Sequence, residues 1–187
     1  MKQRWRDYLW LFIVVAIIVG LDQATKAIVR ANLAVGEIWM PWAWLAPYFR
    51  FVHWYNTGVA FGMFQGMGMA FAALAAVVVI VIAIYFPRIP RSDRLTRLAL
   101  AMQMAGALGN LIDRLTQQGK VTDFVSMGNF AVFNVADASI TVGVGVLLLA
   151  VWLQERRDRQ SQKAAAALMI NPSQLDTGDA GADEERP

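Results

Sequence analysis

The chain contains no cysteine and a single histidine, and charged residues make up only 17% of its 187 residues. Without cysteine there is no disulfide framework, thiol nucleophile or thiolate metal site, and one histidine cannot supply a zinc cluster. The net charge of +3 comes from scattered bases, which excludes a nucleic-acid footprint. Hydrophobic residues reach 57%, too many for an ordinary soluble domain of this length. We therefore expect a membrane protein that binds no nucleic acid.

Four apolar runs are long enough to cross a bilayer, which takes about 20 residues of helix. They cover about residues 8–29, 66–86, 95–115 and 131–153. Only the second run is free of charged residues, and charges inside a span are costly and usually face the interior of a bundle. The pattern predicts an all-α membrane protein with four transmembrane helices and polar residues inside the bundle.

Lysine and arginine concentrate before the first span, between the second and third, and after the fourth. Because cytoplasmic segments keep positive charge, these three segments and both termini should be cytoplasmic, and residues 30–65 and 116–130 should lie outside. A cleaved signal peptide is the alternative for the N-terminus. The segment after the first apolar run has no convincing small-x-small cleavage site, which favours a retained helix.

The first outer segment is rich in tryptophan, proline and phenylalanine, a mixture suited to the headgroup layer. We expect this loop to lie on the membrane, with a small β element, a strand or hairpin, over residues 46–55. From Gln160 onward the composition turns to Gln, Ala, Asp, Glu, Gly and Pro, which cannot bury a core. The sequence thus predicts a transmembrane domain over residues 1–159 and a disordered cytoplasmic tail over residues 160–187.

Polar residues of three predicted spans converge on the outer third of the bilayer. The rise of a helix places Asp22 and Asn110 high in the first and third spans, and Asp137 near the outer start of the fourth. Asn56 and Asp123, in the outer segments, could close over the same level. The sequence describes one polar pocket that opens outward.

The spacing of these residues sharpens the prediction, because residues three or four apart share a helix face. Asn110 should point with Asp113, and Asn134 with Asp137. Gly109 should let another helix come close to the third span.

Two carboxylates in a semi-dry pocket can divide the work of acid and base, because desolvation and neighbouring like charge force one to keep its proton. An aspartic protease uses such a pair, and a small proton-coupled carrier would also use intramembrane carboxylates. Structural roles are the third possibility. Asp22 with Lys26 could be a simple ion pair on one helix, Asp113 a helix end, and the asparagines glue between helices. The residues by themselves leave these alternatives open.

Two other catalytic interpretations are less favoured. Ser139 and Lys26 suggest a serine–lysine dyad, yet Ser139 with Gly143 fits a small-xxx-small step for helix packing. His53 lies among aromatic residues of the first outer segment, so we interpret it as an interface residue rather than a general base.

Five short polar blocks follow one another along the chain. They are DQATK at 22–26, NTGVAFG at 56–62, GALGNLIDR at 106–114, VTDF at 121–124 and FNVADA at 133–138. In this order they resemble the successive motifs of the lipoprotein signal peptidase family, signal peptidase II. The resemblance covers about residues 8–153 and leaves the tail outside it.

The resemblance implies an aspartic endopeptidase of the bacterial inner membrane, with its active site toward the periplasm. Its substrate would be a prolipoprotein whose cysteine already carries diacylglycerol, cut just before that cysteine. By motif, Asp123 and Asp137 would be catalytic, one carboxylate activating water and the other hydrogen-bonding the scissile carbonyl. The residues that bind substrate or support the pair would be Asp22, Asn56, Asn110, Asp113, Arg114 and Asn134. No metal or organic cofactor is implied, and we expect a monomer in contact with membrane lipid.

Overall fold

The computed structural model describes residues 2–58 and 63–170, most of which are helical. The helices are α1 (Lys2–Asn32), α2 (Gly68–Tyr85), α3 (Arg94–Thr116) and α4 (Val135–Ile170). The strands are β1 (Ile38–Trp39), β2 (Phe49–Asn56) and β3 (Val121–Met127), and short 3-10 helices cover Ala43–Leu45 and Phe86–Arg88. The four predicted spans correspond to the four helices, whose ends differ from the predicted ends by a few residues or more.

Within the described part of the chain, three helical segments are long and apolar enough to cross a membrane. They are Trp5–Asn32, Gly68–Arg88 and Val135–Ala166. Helix α3 has sufficient length but more polar residues, and ten of its residues are buried against three in α2. Helix α3, which carries these polar residues, is therefore buried inside the bundle, as expected for charged residues within a span.

Small residues let the helices approach α3 closely. Ala101 and Ala105 of α3 form a buried cluster with Leu11 and Val15 of α1 and with Phe86. Lipid tails are as apolar as leucine, so close packing rather than transfer from water stabilises such contacts.

Arg97, one of the charges inside the third predicted span, belongs to a separate cluster at the N-terminal end of α3. Its Nη2 donates to Asp7 Oδ1 at 2.8 Å, its Nη1 donates to the Ile89 carbonyl at 3.1 Å, and its guanidinium lies 4.3 Å from the centre of the Phe86 ring. Arg91 Nε donates to the same oxygen of Asp7 at 2.9 Å. These bonds tie α1 to the turn between α2 and α3.

The sheet is antiparallel with strand order β1-β2-β3. Strand β2 confirms the expected β element. Strand β3 lies within residues 116–130, where the sequence predicted an outer segment but no strand. The backbone of β3 pairs with that of β2, in a register that places Trp54 opposite Asp123 and Asn56 opposite Val121. Pairing with a distant strand leaves little trace in the local pattern of such a short segment.

Helix α4 continues to Ile170, so residues 160–170 are helical where composition predicted a disordered tail. Glutamine, lysine and alanine are good helix formers, and they continue the helix after the apolar run has ended. Residues 171–187, the rest of the predicted tail, lie outside the described residues.

Candidate active site

A reciprocal cap at the start of α4 holds Asp137. Asn134 Oδ1 accepts a hydrogen bond from the backbone N–H of Asp137 at 3.0 Å, and Asp137 Oδ2 accepts one from the backbone N–H of Asn134 at 3.2 Å. This arrangement is a capping box, which satisfies two backbone donors that a helix start leaves free. Asp137 thus lies in the first turn of α4, where the helix dipole favours a negative charge.

Asp123 lies on β3 with only 1% of its surface exposed. Its Oδ1 accepts a hydrogen bond from Asn134 Nδ2 at 2.7 Å, and its Oδ2 accepts one from Asn56 Nδ2 at 3.1 Å. Asn56 is itself oriented, because its Oδ1 accepts the backbone N–H of Gly58 at 2.9 Å. Burial, together with the negative charge of Asp137, raises the pKa of the Asp123 carboxyl to about 7.

Asn110 of α3 links the supports of the two carboxylates. Its Nδ2 donates to Asp137 Oδ1 at 2.7 Å. Its Oδ1 accepts from Asn134 Nδ2 at 3.1 Å and from Lys26 Nζ at 3.0 Å. Asn110 and Asn134 join α3 to α4, which agrees with a structural role between helices. They also hold Asp123 and Asp137 in one hydrogen-bond network.

Both carboxylates line one cavity of about 490 Å³, here named the active-site cavity. Its other polar side chains are Asn56, Asn110, Arg114 and Thr141, and the remaining wall is mostly apolar. Arg114 Nη2 donates to the Gly58 carbonyl at 3.2 Å, which fixes the turn that follows Asn56. An apolar wall beside two acids provides the semi-dry setting in which one acid keeps its proton.

Lys26 is fully buried and pairs with two aspartates. Its Nζ lies 2.8 Å from Asp22 Oδ2 and 3.3 Å from Asp113 Oδ2. Asp22 Oδ1 also accepts the backbone N–H of Ala136, in the first turn of α4, at 2.9 Å. The interpretation of Asp22 and Lys26 as a simple ion pair within one helix is therefore wrong. The pair joins α1 to α3 and α4, because small residues on those helices allow the close approach.

Asp113 does not only end α3, because it also hydrogen-bonds to Thr122, the residue before Asp123. Its Oδ2 accepts the backbone N–H of Thr122 at 2.9 Å, and Arg30 Nη1 donates to the Thr122 hydroxyl at 3.0 Å. Gln23 Nε2 donates to Asp113 Oδ1 at 3.2 Å. The sequence reasoning missed Gln23, Arg30 and Thr122. A polar Gln23 inside an apolar span was a signal for the first, whereas the other two depend on the placement of β3.

The structure does not bring together a serine–lysine dyad. Ser139 Oγ donates to the Met102 carbonyl at 2.9 Å, a packing contact between α4 and α3, and Lys26 is engaged by the two aspartates. His53 is only 3% exposed, and its Nδ1 lies 2.8 Å from the Leu33 carbonyl. Our interpretation of His53 as an interface residue is wrong, because the sheet packs it against the end of α1.

Gly109 leaves no room for a side chain. A methyl group there would lie 2.6 Å from Asp22 Oδ2 and 3.2 Å from the Ala136 side chain, which confirms the expected close approach of other helices. We expect Gly109→Ala to lower the free energy of unfolding by about 1–3 kcal/mol, the usual cost of overpacking. Thermal unfolding in detergent measures it. The matched control is Gly145→Ala, where nothing lies within 4 Å. Equal melting temperatures for the two variants would contradict the packing described.

Fold and site together define a class, a helical membrane protein with paired carboxylates on the wall of one cavity. Residues 14–153 match the family described as Signal peptidase (SPase) II. A lipoprotein signal peptidase of Brevibacillus brevis is 39% identical over 153 residues, which cover 81% of this chain and 100% of that protein. One of Dehalococcoides mccartyi is 43% identical over 133 residues, or 68% of this chain and 80% of that protein. The chain belongs to the signal peptidase II family, and it is a peptidase.

Two solved structures, both titled as bacterial membrane enzymes, are similar to this chain. One, at 2.3 Å resolution, has a TM-score of 0.68 with 23% identity and covers 94% of each chain. The other, at 1.9 Å, has a TM-score of 0.67 with 27% identity and covers 75% of this chain and 91% of its own. These similarities show that the fold is one that bacterial membrane enzymes adopt.

Proposed function

We propose that this member of the signal peptidase II family is an aspartic endopeptidase that removes signal peptides from diacylglyceryl-modified prolipoproteins, cutting just before the lipidated cysteine. The observation that carries the aspartic mechanism is the placement of Asp123 and Asp137 on one cavity wall, joined through Asn134. The name of the curated relatives, lipoprotein signal peptidase, supports the substrate class.

Asp137 is the base and Asp123 the acid in this proposal. The position of Asp137 in the first turn of α4, where the helix dipole favours a negative charge, supports its ionised form, whereas burial and the charge of Asp137 raise the pKa of Asp123 and support its protonated form. Asp137 takes a proton from water, which attacks the scissile carbonyl, while Asp123 gives its proton to the carbonyl oxygen. The proton on Asp137 then passes to the leaving amine. Asp123 regains its own proton as the carbonyl re-forms.

The supporting residues act through the pair rather than on the peptide bond. Asn56 and Asn134 donate to Asp123, and Asn110 donates to Asp137. Below them, Asp22 and Asp113 fix the start of α4 and the strand that carries Asp123. Arg114 shapes the cavity through the Gly58 carbonyl. We propose as well that Arg114 and the asparagines can hold the backbone of the substrate.

The proposed setting is the bacterial inner membrane, crossed four times, with α3 as the polar inner span. Both termini lie in the cytoplasm, and the active-site cavity lies toward the periplasm. Exposed tryptophans of the first outer segment support its position in the headgroup layer. They are Trp39, Trp42, Trp44 and Trp54. Both carboxylates and the described side chains that support them belong to one chain, and we include a monomer surrounded by lipid in the proposal.

Cleavage by the purified protein in detergent tests this function. The expected products are a free signal peptide and a protein that begins with the diacylglyceryl cysteine, both identified by mass. A proton-coupled carrier would need an ion gradient, which detergent abolishes. Absence of cleavage of an intact lipidated substrate by folded protein would overturn the proposal.

Activity should depend on the protonation of Asp123. Because its pKa is about 7, the protonated form that donates to the scissile carbonyl is lost as pH rises through about 7. We expect kcat/KM to fall about tenfold for each pH unit above that point, as for the loss of one essential acid. A profile of kcat/KM between about pH 5 and pH 9 measures this. A flat profile would contradict the assignment of the acid.

The same pKa gives a readout that needs no turnover. Folding raises the pKa of Asp123, so between about pH 4 and pH 7 the folded protein keeps a proton that the unfolded chain has released. Stability should therefore fall as pH rises through this window, by up to about 4 kcal/mol. Asp123→Asn removes this pH-dependent loss of stability. The variant should therefore have a higher melting temperature than wild type at about pH 8, and the difference should be smaller near pH 5.

A further inference from the structure

A second cavity of about 490 Å³ lies where the C-terminal turns of α1 meet the sheet, and it is here named the α1 pocket. Aromatic rings from all three strands form one side of it. Trp39 lies 5.7 Å from Phe51, and Phe51 lies 6.4 Å from Phe124, measured between ring centres. The wall from α1 includes Ile28 and Val29. The α1 pocket and the active-site cavity have no lining residue in common.

The chemistry of the α1 pocket suits hydrocarbon. No lining residue is ionisable. Each of the two polar side chains on the α1 wall donates a hydrogen bond within its own helix. Thr25 Oγ1 donates to the Leu21 carbonyl at 2.8 Å, and Asn32 Nδ2 donates to the Ile28 carbonyl at 2.8 Å. The lining therefore offers few groups to a polar ligand, whereas an alkyl chain would fill an apolar space of ligand size.

The mouth of the α1 pocket continues an apolar surface that faces lipid. Ile17, Leu21 and Ile28 are 57–62% exposed and share one face of α1, which is an apolar membrane span. Ile28 ends this stripe and also lines the pocket. A chain of a lipid beside this face of α1 would therefore meet the mouth of the pocket directly.

Strand β3 separates this pocket from the peptidase chemistry. Successive side chains of a strand point to opposite faces. Accordingly, Asp123 lines the active-site cavity and Phe124 lines the α1 pocket. A peptide held at Asp123 and Asp137 thus has the strand between itself and the α1 pocket. This placement favours a resident lipid over the acyl chains of the substrate.

We propose that the α1 pocket binds an acyl chain of a bilayer phospholipid, and that this chain packs against Phe124, directly behind the residue that carries the acid. The binding requires no turnover, so it stands or falls separately from the proposed function. In this arrangement protein packs against one face of β3 and the bound acyl chain packs against the other.

Photolabelling tests the proposal. The full chain is placed in phosphatidylcholine nanodiscs doped with a phosphatidylcholine that carries a diazirine on its acyl chain, irradiated, and mapped by peptide mass spectrometry. Phe124 is only 4% exposed, so a label on it reports entry into the α1 pocket. We expect labelling of Phe124 in wild type. In Ile28→Trp this labelling should fall severalfold, because the indole ring blocks the mouth of the pocket.

The matched control is Ile17→Trp, the same substitution on the same face of α1 but away from the pocket, and it should label Phe124 like wild type. A second arm moves the diazirine to the diacylglyceryl chains of a prolipoprotein. Label on Phe124 from the substrate chains would overturn the proposal in favour of a substrate subsite. Absence of Phe124 labelling by phosphatidylcholine, or equal labelling in Ile28→Trp and Ile17→Trp, would overturn it as well.

Discussion

Replacement of either Asp123 or Asp137 by asparagine should lower the rate of prolipoprotein cleavage by about a thousandfold or more, the scale of a lost general acid or base. Asparagine keeps the shape of the side chain and one acceptor oxygen, so the variant side chain fits the same site and keeps one of the two hydrogen bonds that each carboxylate accepts. The loss should therefore appear in kcat rather than in folding. Single-turnover cleavage of a diacylglyceryl prolipoprotein measures it.

Asp158→Asn is the matched control, because Asp158 lies exposed on α4 and accepts a hydrogen bond only from Gln154 among the contacts found in the described residues. It should cleave at the wild-type rate. Because the two carboxylates act as a unit in the proposed mechanism, the double variant Asp123→Asn/Asp137→Asn should be little slower than either single variant. A single variant with near wild-type activity would show that the dyad is misassigned, and Asp22 and Asp113 would become the next candidates.

Lys26→Met should destabilise the protein by about 3–5 kcal/mol, because removal of one partner of a buried ion pair leaves uncompensated charge. Lys26 is the cation between Asp22 and Asp113, and all three side chains are fully buried. Among the ion pairs of the described residues, the other cation at this cluster is Arg30, whose Nη1 lies 3.7 Å from Asp113 Oδ1. Thermal unfolding in detergent should show a large fall in melting temperature.

The double variant Asp22→Asn/Lys26→Met should recover much of this stability, because one negative charge is removed with the positive one and Arg30 remains near Asp113. Lys163→Met, on the exposed part of α4, is the matched control and should melt like wild type. Equal melting temperatures for Lys26→Met and Lys163→Met would contradict the buried cluster.

Local spacing predicted the parts of the site that lie on one helix. Asn134 and Asp137 were expected to share a face, and they form the cap of α4. Asn110 and Asp113 were expected to point together, and both contact Lys26. These predictions succeed because helical period is a property of a few neighbouring residues.

Pairings between distant segments were harder to predict. The residues alone placed Asp123 in an outer segment that could close over the pocket but gave it no catalytic role, because its exact position depends on the pairing of β3 with β2 and on Asp113 holding Thr122. Only the motif resemblance indicated it. The contacts of Lys26 with Asp113 and Asn110 were likewise missed, since they depend on how closely α3 approaches α1.

Single-turnover cleavage in water enriched in oxygen-18 tests most directly whether two carboxylates activate a water molecule. With the protein in excess over a diacylglyceryl prolipoprotein, attack by water places one heavy oxygen in the new carboxylate of the signal peptide and none in Asp123 or Asp137. A signal peptide without heavy oxygen, together with a labelled aspartate, would reveal a covalent acyl intermediate and contradict the proposed mechanism.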